Sequence, residues 1–258
     1  MRNKKMNQRF LEIDKELMSI DFLKIHPNLL PFIGARYDEY RILQVGESHY
    51  INQTPKTEKF NLECFQRWWK ESCDDLLIDS PGYVETRGVI NNNYFENKRG
   101  SYGIFTNAIK SFSKVILDEE IPNINKEKKQ LYTYFAFMNF FQMPSIYEGL
   151  SFWKSLDISG KKNNKKELVG KIWDKTVQES THVLDDVIDI LKPQVIVFTS
   201  ISAGNAYKYN ENSRHCNDSN IIYTSHPNYS ITWNKPLKSL GGKKGVEVFE
   251  EGLRRLYR

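Results

Sequence analysis

Residues 186–200 read DVIDILKPQVIVFTS, and the order of patterns in this stretch decides the fold class. Its first six residues end an apolar stripe of helical period that begins near residue 168. Pro193 stops that helix, because proline has no backbone N–H and its ring clashes with the preceding turn. The four apolar residues that follow, Val195–Phe198, have the composition of a buried strand. A helix, a break and a buried strand together predict one unit of an α/β protein.

Similar units lie on both sides of this stretch. Apolar runs predict further strands at residues 41–45, about 132–138 and 221–224. Apolar residues of helical period predict helices at residues 6–24, 60–78, 105–117, 168–191 and 246–257. Polar, turn-forming stretches predict loops at residues 79–101 and 157–166. The alternation predicts one domain over residues 1–258, a three-layer α/β/α sandwich around a central, mainly parallel sheet of short strands.

Composition excludes several classes of protein for this chain of 258 residues. Its net charge of +5 makes nucleic acid a plausible partner, because excess Lys and Arg neutralise phosphate. Cys64, Cys73 and Cys216 share no metal-ligand spacing, so neither a disulfide framework nor a zinc site is expected. The N-terminus has no signal-peptide pattern, and no apolar run reaches the roughly 18 residues of a membrane span. We therefore expect a cytoplasmic monomer that makes no contact with a membrane.

Polar residues cluster where the predicted strands end. The loop GESHY, residues 46–50, follows the first strand, and Asn139 ends the aromatic one. His226 and Pro227 follow the last strand. Ligands of parallel α/β sheets bind beyond the carboxyl ends of the strands. The sequence therefore predicts one pocket at this edge of the sheet.

Taken in order, these motifs resemble those of the uracil-DNA glycosylase superfamily. The matching stretches are VGESHY, FAFMN, DVIDILKPQVIVFTS and IIYTSHPNYS, and they span most of residues 40–235. The resemblance implies a DNA-repair enzyme that flips a uracil or another damaged base out of DNA and hydrolyses its N-glycosidic bond. It also implies the uracil-DNA glycosylase fold, DNA as partner, and chemistry that needs no metal or organic cofactor.

The resemblance assigns catalytic roles to three residues. Glu47 or His49 would position the attacking water, although Glu47 could instead serve a helix N-terminus and His49 could be a solvated loop residue. His226 would stabilise the negative charge of the leaving base, because a neutral imidazole can donate a hydrogen bond.

Further roles concern recognition of the base and of DNA. Asn139 would read the base edge through its amide donor and acceptor, and its apolar surroundings require either a buried partner or a ligand. Phe105 would stack on the flipped base or pack in the core. The other base-binding candidates are Gly46, Ser48 and Tyr50. The candidates for contacting DNA are Asn228, Tyr229 and Ser230.

The first motif departs from the superfamily, whose branches carry Gly-Gln-Asp-Pro-Tyr-His or Gly-Glu-Ala-Pro-Gly at this point. Ser48 stands in place of the Asp, and His49 in place of the Pro. One alternative is therefore a catalytically silent relative that binds a base, a nucleotide or DNA. A second is an unrelated esterase-type hydrolase with Glu47 and His49 as base and orienter, although no G-x-S-x-G elbow is present. Residues 60–100 are predicted to be an inserted or lid element.

Overall fold

The computed structural model describes residues 11–51, 53, 61–73, 84–96, 102–121, 124–147, 149–227 and 230–257. The strands are β1 (Phe32–Ile33), β2 (Ile42–Tyr50), β3 (Phe135–Ser145), β4 (Val195–Phe198) and β5 (Ile221–Tyr223). The helices of the first half are α1 (residues 11–17), α2 (Asp21–Ile25), α3 (Tyr37–Tyr40), α4 (Phe65–Trp68), α5 (Thr86–Gly88) and α6 (Gly103–Phe112). Those of the second half are α7 (Ile124–Leu131), α8 (Phe152–Lys162), α9 (Lys166–Leu191), α10 (Ile201–Lys208), α11 (Ser230–Asn234) and α12 (Gly245–Tyr257). Two π-helical segments, Val89–Tyr94 and Ser113–Leu117, continue α5 and α6.

The strands form one mixed sheet in the order β1-β3-β2-β4-β5. β2 pairs in parallel with both β3 and β4, and β4 pairs in parallel with β5. β1 is the exception, because it lies antiparallel to β3 at the edge. The predicted α/β class with a mainly parallel sheet is confirmed. None of the helices in the described ranges is long and apolar enough to cross a membrane.

Each face of the sheet is covered by its own hydrophobic core. Leu43 and Val45 of β2 belong to one core, and Ile42 belongs to the other. The same alternation continues along β4, because successive side chains of a strand point to opposite faces. Helices α8 and α9 pack against β3 at the first core, and α12 packs against β4 and β5 at the second. This burial on both faces explains why the inner strand β4 is apolar without interruption.

The two longest strands extend beyond their predicted ends. Gly46 was expected to end β2, but the strand continues through the predicted GESHY loop to Tyr50. Asn139 was expected to end β3, yet that strand continues to Ser145. Each strand supplies the partner of the other, since Gly46 pairs with Asn139 and Ser48 pairs with Phe141. The register then shifts before Tyr50, an irregularity of the kind that re-aims side chains near functional sites.

The prediction of a loop at residues 157–166 was wrong. Helix α8 occupies most of this stretch, with Ser151 as its N-cap accepting a hydrogen bond from the Lys154 N–H. Buried Leu156 and Ser159 show that one side of the helix faces the core. Two of the basic residues that suggested a solvated loop, Lys161 and Lys162, lie in the last turn of α8, where positive charge interacts favourably with the helix dipole.

Described parts of residues 60–100 pack into the body of the protein. Trp68 is fully buried in the first core, and its indole N–H donates to the Gln142 carbonyl at 3.1 Å. Tyr94 is buried in the second core. The predicted helix at 60–78 is described only in part, as a 3₁₀ turn over Leu62–Cys64 followed by α4.

Candidate functional site

A pocket of about 520 Å³ opens at the end of the sheet toward which β2 and β5 run. This strand-end pocket is within the size range of small-molecule sites, about 300–1,000 Å³. It brings together seven of the candidates identified from the sequence. They are Glu47, Ser48, His49, Tyr50, Phe105, Asn139 and His226.

The other candidates have different positions. Gly46 lies beside the pocket, where it faces the Asn139 side chain. Asn228 and Tyr229 fall outside the described residues, and Ser230 is the first residue of α11. The remaining lining residues were not anticipated from the sequence. They are Val89, Asn93, Tyr102, Ile104, Phe137, Gly149, Leu150 and Ser151.

Asn93 comes from the π-helical segment that follows α5. It belongs to a run of three asparagines, of which Asn91 and Asn92 are exposed. Only Asn93 lines the pocket, because the helical phase turns it inward. The sequence of the asparagine run does not indicate which of the three amides faces the pocket.

Asn139 is the most buried amide of the pocket, with 7% of its surface exposed. Its backbone carbonyl accepts a hydrogen bond from the Gln142 side chain at 2.5 Å. Within the described part of the chain, its side-chain amide has no hydrogen-bond partner. A Cβ atom at position 46 would overlap Oδ1 of Asn139, so glycine there makes room for the amide. The amide can present both a donor and an acceptor to a ligand.

Glu47 joins the starts of two helices. Oε1 accepts a hydrogen bond from the backbone N–H of Phe152, the first residue of α8, at 3.0 Å. Oε2 accepts from the hydroxyl of Ser200, the N-cap residue of α10, at 2.9 Å. A carboxylate is favourable at a helix start, where unpaired N–H groups carry partial positive charge. Both carboxylate oxygens are therefore already engaged by protein donors.

His49 is not the solvated loop residue considered from the sequence. It lies in β2, is 7% exposed, and its Nε2 is 3.0 Å from the Thr86 hydroxyl oxygen. The Thr86 hydroxyl donates to the Leu29 carbonyl at 3.4 Å. The imidazole thereby links β2 to α5.

His226 occupies a turn that is held from several sides. The turn follows β5, and the Thr232 hydroxyl donates to the His226 carbonyl at 3.3 Å. The Asn107 side chain donates to the carbonyl of the next residue, Pro227, at 2.7 Å. Burial lowers the pKa of His226 from 6.5 to about 4, because desolvation disfavours the charged imidazole. The ring is therefore neutral at pH 7.

Aromatic rings form one wall of the pocket. Phe105 is 1% exposed, and its ring meets that of Phe137 edge-on with centroids 4.9 Å apart. Tyr102 stacks beside Phe105 with centroids 6.3 Å apart. Phe105 is thus at once a core residue and a pocket-lining one. An aromatic wall of this kind suits a planar ring.

The lining has little charge. Among the lining residues that the structure describes, Glu47 is the one acidic residue, and there is no Lys or Arg. The described chain also contains no cluster of His, Cys, Asp and Glu suited to a metal ion. Amide, hydroxyl, imidazole and aromatic groups therefore dominate, and they favour an uncharged, planar, hydrogen-bonding ligand.

Comparison of the chain with protein-family models, with curated proteins and with solved structures finds no match. No relative therefore assigns a role to a residue of the pocket.

Proposed function

We propose that this chain is a divergent uracil-DNA glycosylase-like protein, with the three-layer α/β/α sandwich of that superfamily. It would remove uracil or another damaged base from DNA by hydrolysing the N-glycosidic bond. The observation that carries the proposal is the buried amide of Asn139, which faces a largely uncharged pocket beside Phe105 and His226.

Asn139 is suited to read the edge of a pyrimidine. Uracil presents alternating acceptors and a donor, and a side-chain amide complements such an edge. A buried amide left without a partner costs free energy, so a ligand that pairs with it is selected over one that does not. Phe105 would meanwhile offer its ring to the flipped base.

His226 is suited to stabilise the leaving base. When the bond between the sugar carbon and the base nitrogen breaks, its electron pair leaves with the base. A neutral imidazole donates a hydrogen bond to the resulting anion, and the lowered pKa keeps the ring neutral. Water then adds to the sugar cation and loses a proton, and the base anion takes up a proton, which completes the hydrolysis.

Glu47 would shape the pocket more than it would activate water. Both of its oxygens already accept hydrogen bonds from Phe152 and Ser200. Ser48, which takes the place of the Asp, has no carboxylate. We therefore propose a dissociative order of events, in which the base departs before water is captured. Such an order requires only weak activation of the water.

The same observations favour a catalytically silent relative as the second candidate. Glu47 is the one carboxylate among the described lining residues, and both of its oxygens already have protein donors. The esterase alternative gains less support. The hydrogen bonds of Glu47 go to Phe152 and Ser200, and Nε2 of His49 bonds to Thr86. If one of these residues were a general base oriented by the other, Glu47 and His49 would need to form a hydrogen bond with each other.

The test is single-turnover excision on uracil-containing oligonucleotides, single- and double-stranded, with protein in excess. Asn139→Ala and His226→Ala are compared with matched controls at exposed positions, Asn92→Ala and His182→Ala. We expect abasic product from the parent and the controls, and a loss of about 100-fold or more in each pocket variant.

Two other outcomes have distinct meanings. Binding of the uracil oligonucleotide without cleavage, weakened by Asn139→Ala, would identify the silent relative. Neither cleavage nor binding by the folded parent would overturn the proposal.

A further inference from the structure

A second concave surface lies between α8, α9 and α10, with a volume of about 790 Å³. We infer that this helix groove is a separate binding site, and that it takes a basic, proline-containing peptide segment of a partner protein. The inference is independent of the chemistry proposed for the strand-end pocket. It rests on three properties of the lining: aromatic rings, negative charge and exposed amides.

The aromatic rings form a rigid corner at one side of the groove. Trp173 is anchored in the first core, where its ring centroid is 5.3 Å from that of Phe141. Trp153 meets Trp173 at an interplanar angle of 82°, with centroids 5.1 Å apart. Trp153 is 45% exposed and Tyr209 is 74% exposed. Tyr209 lines the same groove.

Such exposure is concentrated in this groove. Within the described residues, the large hydrophobic side chains that are exposed are Leu11, Trp153 and Tyr209. Two of these three line the helix groove. A single exposed apolar residue is ordinary, but clustered exposed aromatic residues mark interaction sites. Tryptophan and tyrosine are also the residues that most often dominate binding energy.

The negative charge of the groove favours a positively charged ligand. Asp174 and Glu211 line it, and its described lining contains no Lys or Arg. Neither carboxylate has an ion-pair partner in the part of the chain that the structure describes. This negative surface stands out on a chain of net charge +5. It favours a cation and disfavours the phosphates of nucleic acid.

A cation can also use the aromatic rings. Ammonium and guanidinium groups bind over the faces of tryptophan and tyrosine. Lys208, beside the groove, already places its Nζ 5.6 Å from the ring centre of Tyr209. The ring offered to a partner's cation is therefore that of Trp153, which is 45% exposed. An arginine or lysine of a partner could therefore contact both the Trp153 ring and a neighbouring carboxylate.

The amides favour an extended peptide over an isolated cation. Gln178 on α9 and Asn205 on α10 are exposed and line the groove. Their donors and acceptors can pair with the unbonded backbone of a polyproline II segment. Aromatic grooves recognise such segments, since the prolines pack on the rings and the preformed helix loses little entropy. A proline-containing peptide with basic residues satisfies all three properties.

The test is calorimetric titration of the full chain with acetyl-PPRPPR-amide, with acetyl-PPQPPQ-amide as the uncharged control peptide. We expect saturable binding of the arginine peptide, at least about tenfold tighter than the glutamine peptide. Trp153→Ala should weaken binding about tenfold or more. The double variant Asp174→Asn and Glu211→Gln should weaken it and reduce its dependence on salt. The control Leu11→Ala, which removes the exposed apolar residue outside the groove, should bind as the parent does.

Tyr209→Ala provides a second test if Trp153→Ala fails to fold, because Tyr209 is mostly exposed. Absence of saturable binding by the arginine peptide would overturn the inference. So would equal binding of the two peptides, or binding that neither aromatic substitution changes. Saturable binding of single-stranded oligothymidylate in the absence of peptide, weakened by Trp153→Ala, would show that the groove binds nucleic acid instead.

Discussion

Oε1 of Glu47, on β2, accepts a 3.0 Å hydrogen bond from the backbone N–H of Phe152, the residue that begins α8. The other oxygen, Oε2, accepts a hydrogen bond from the hydroxyl of Ser200, the N-cap of α10. One side chain thus fixes two helix starts beside the pocket. This arrangement separates a positioning role from a catalytic one, and the two roles can be distinguished by experiment.

Replacing Glu47 should reduce stability. Glu47→Ala leaves the Phe152 N–H and the Ser200 hydroxyl without their acceptor, so we expect a loss of about 1–3 kcal/mol in the free energy of unfolding. Glu47→Gln keeps an acceptor and should lose less. Chemical denaturation measures both, with exposed Glu16→Ala as control. Unchanged stability in Glu47→Ala together with abolished excision would instead make Glu47 a directly catalytic residue.

Gly46→Ala should disable the pocket while the fold survives. The new methyl group would overlap Oδ1 of Asn139 and lie 3.0 Å from the Phe137 ring. The end of the Asn139 side chain can rotate away, so the amide is lost to the ligand at little cost in stability. We expect excision or uracil-DNA binding to fall about as far as in Asn139→Ala, roughly 100-fold.

The matched control for that substitution is Gly170→Ala. Nothing lies within 4 Å of a Cβ at Gly170 in α9, so alanine should stabilise the helix there by about 0.5–1 kcal/mol. A Gly46→Ala variant that binds and cleaves like the parent would show that the Asn139 amide does not contact the ligand.

Because of His226, the free energy of unfolding should decrease as the pH is lowered. Its pKa is 6.5 when solvated and about 4 in the folded chain, so the unfolded state takes up the proton first as pH falls. The folded state therefore has its full stability above pH 6.5 and loses up to about 3 kcal/mol between pH 6.5 and 4. His226→Gln should flatten this part of the profile, as measured by denaturation at each pH.

NMR titration provides a direct check on the same group. The chain has five histidines, and the His226 ring signals should remain unshifted from pH 8 to about pH 5. Excision should likewise show no loss near pH 6.5 that depends on His226. A His226 midpoint near 6.5 would contradict a neutral, desolvated ring.

The segment around Trp68 should behave as core. Trp68 is fully buried, bonds to the Gln142 carbonyl and stacks on His26. Trp68→Ala should therefore cost about 3–5 kcal/mol in the free energy of unfolding. Trp153→Ala, at a half-exposed position, should cost much less. Thermal unfolding of the two variants side by side makes the comparison, and equal losses would contradict it.

Local pattern was enough to predict the short strands β4 and β5. Val195–Phe198 and the strand near residues 221–224 are continuous apolar runs next to clear breaks, so few alternatives compete. The lengths of β2 and β3 were harder, because polar residues such as Glu47 and Asn139 remain in the ladder only through pairing between the two strands. That pairing is a tertiary property that no local pattern contains.

The candidate site, like the strands, was predicted only in part from the sequence. Strand-end motifs pointed to Asn139 and His226, which line one pocket. Asn93 was missed because its helical phase is set by packing around Ile90 and Tyr94. The hydrogen bonds of Glu47 depend on where α8 and α10 begin, and these starts lie far from Glu47 in the sequence.

The absence of a Cβ at Gly46 has a consequence for the evolution of this site. Every other amino acid carries a Cβ, and a Cβ at this position overlaps the Asn139 amide. A lineage that accepts a larger residue at position 46 therefore loses selection on Asn139 as well. Once Asn139 has also changed, reverting either position alone restores nothing. Gly46 and Asn139 should therefore be lost together and not regained, so relatives of this chain should carry both residues or neither.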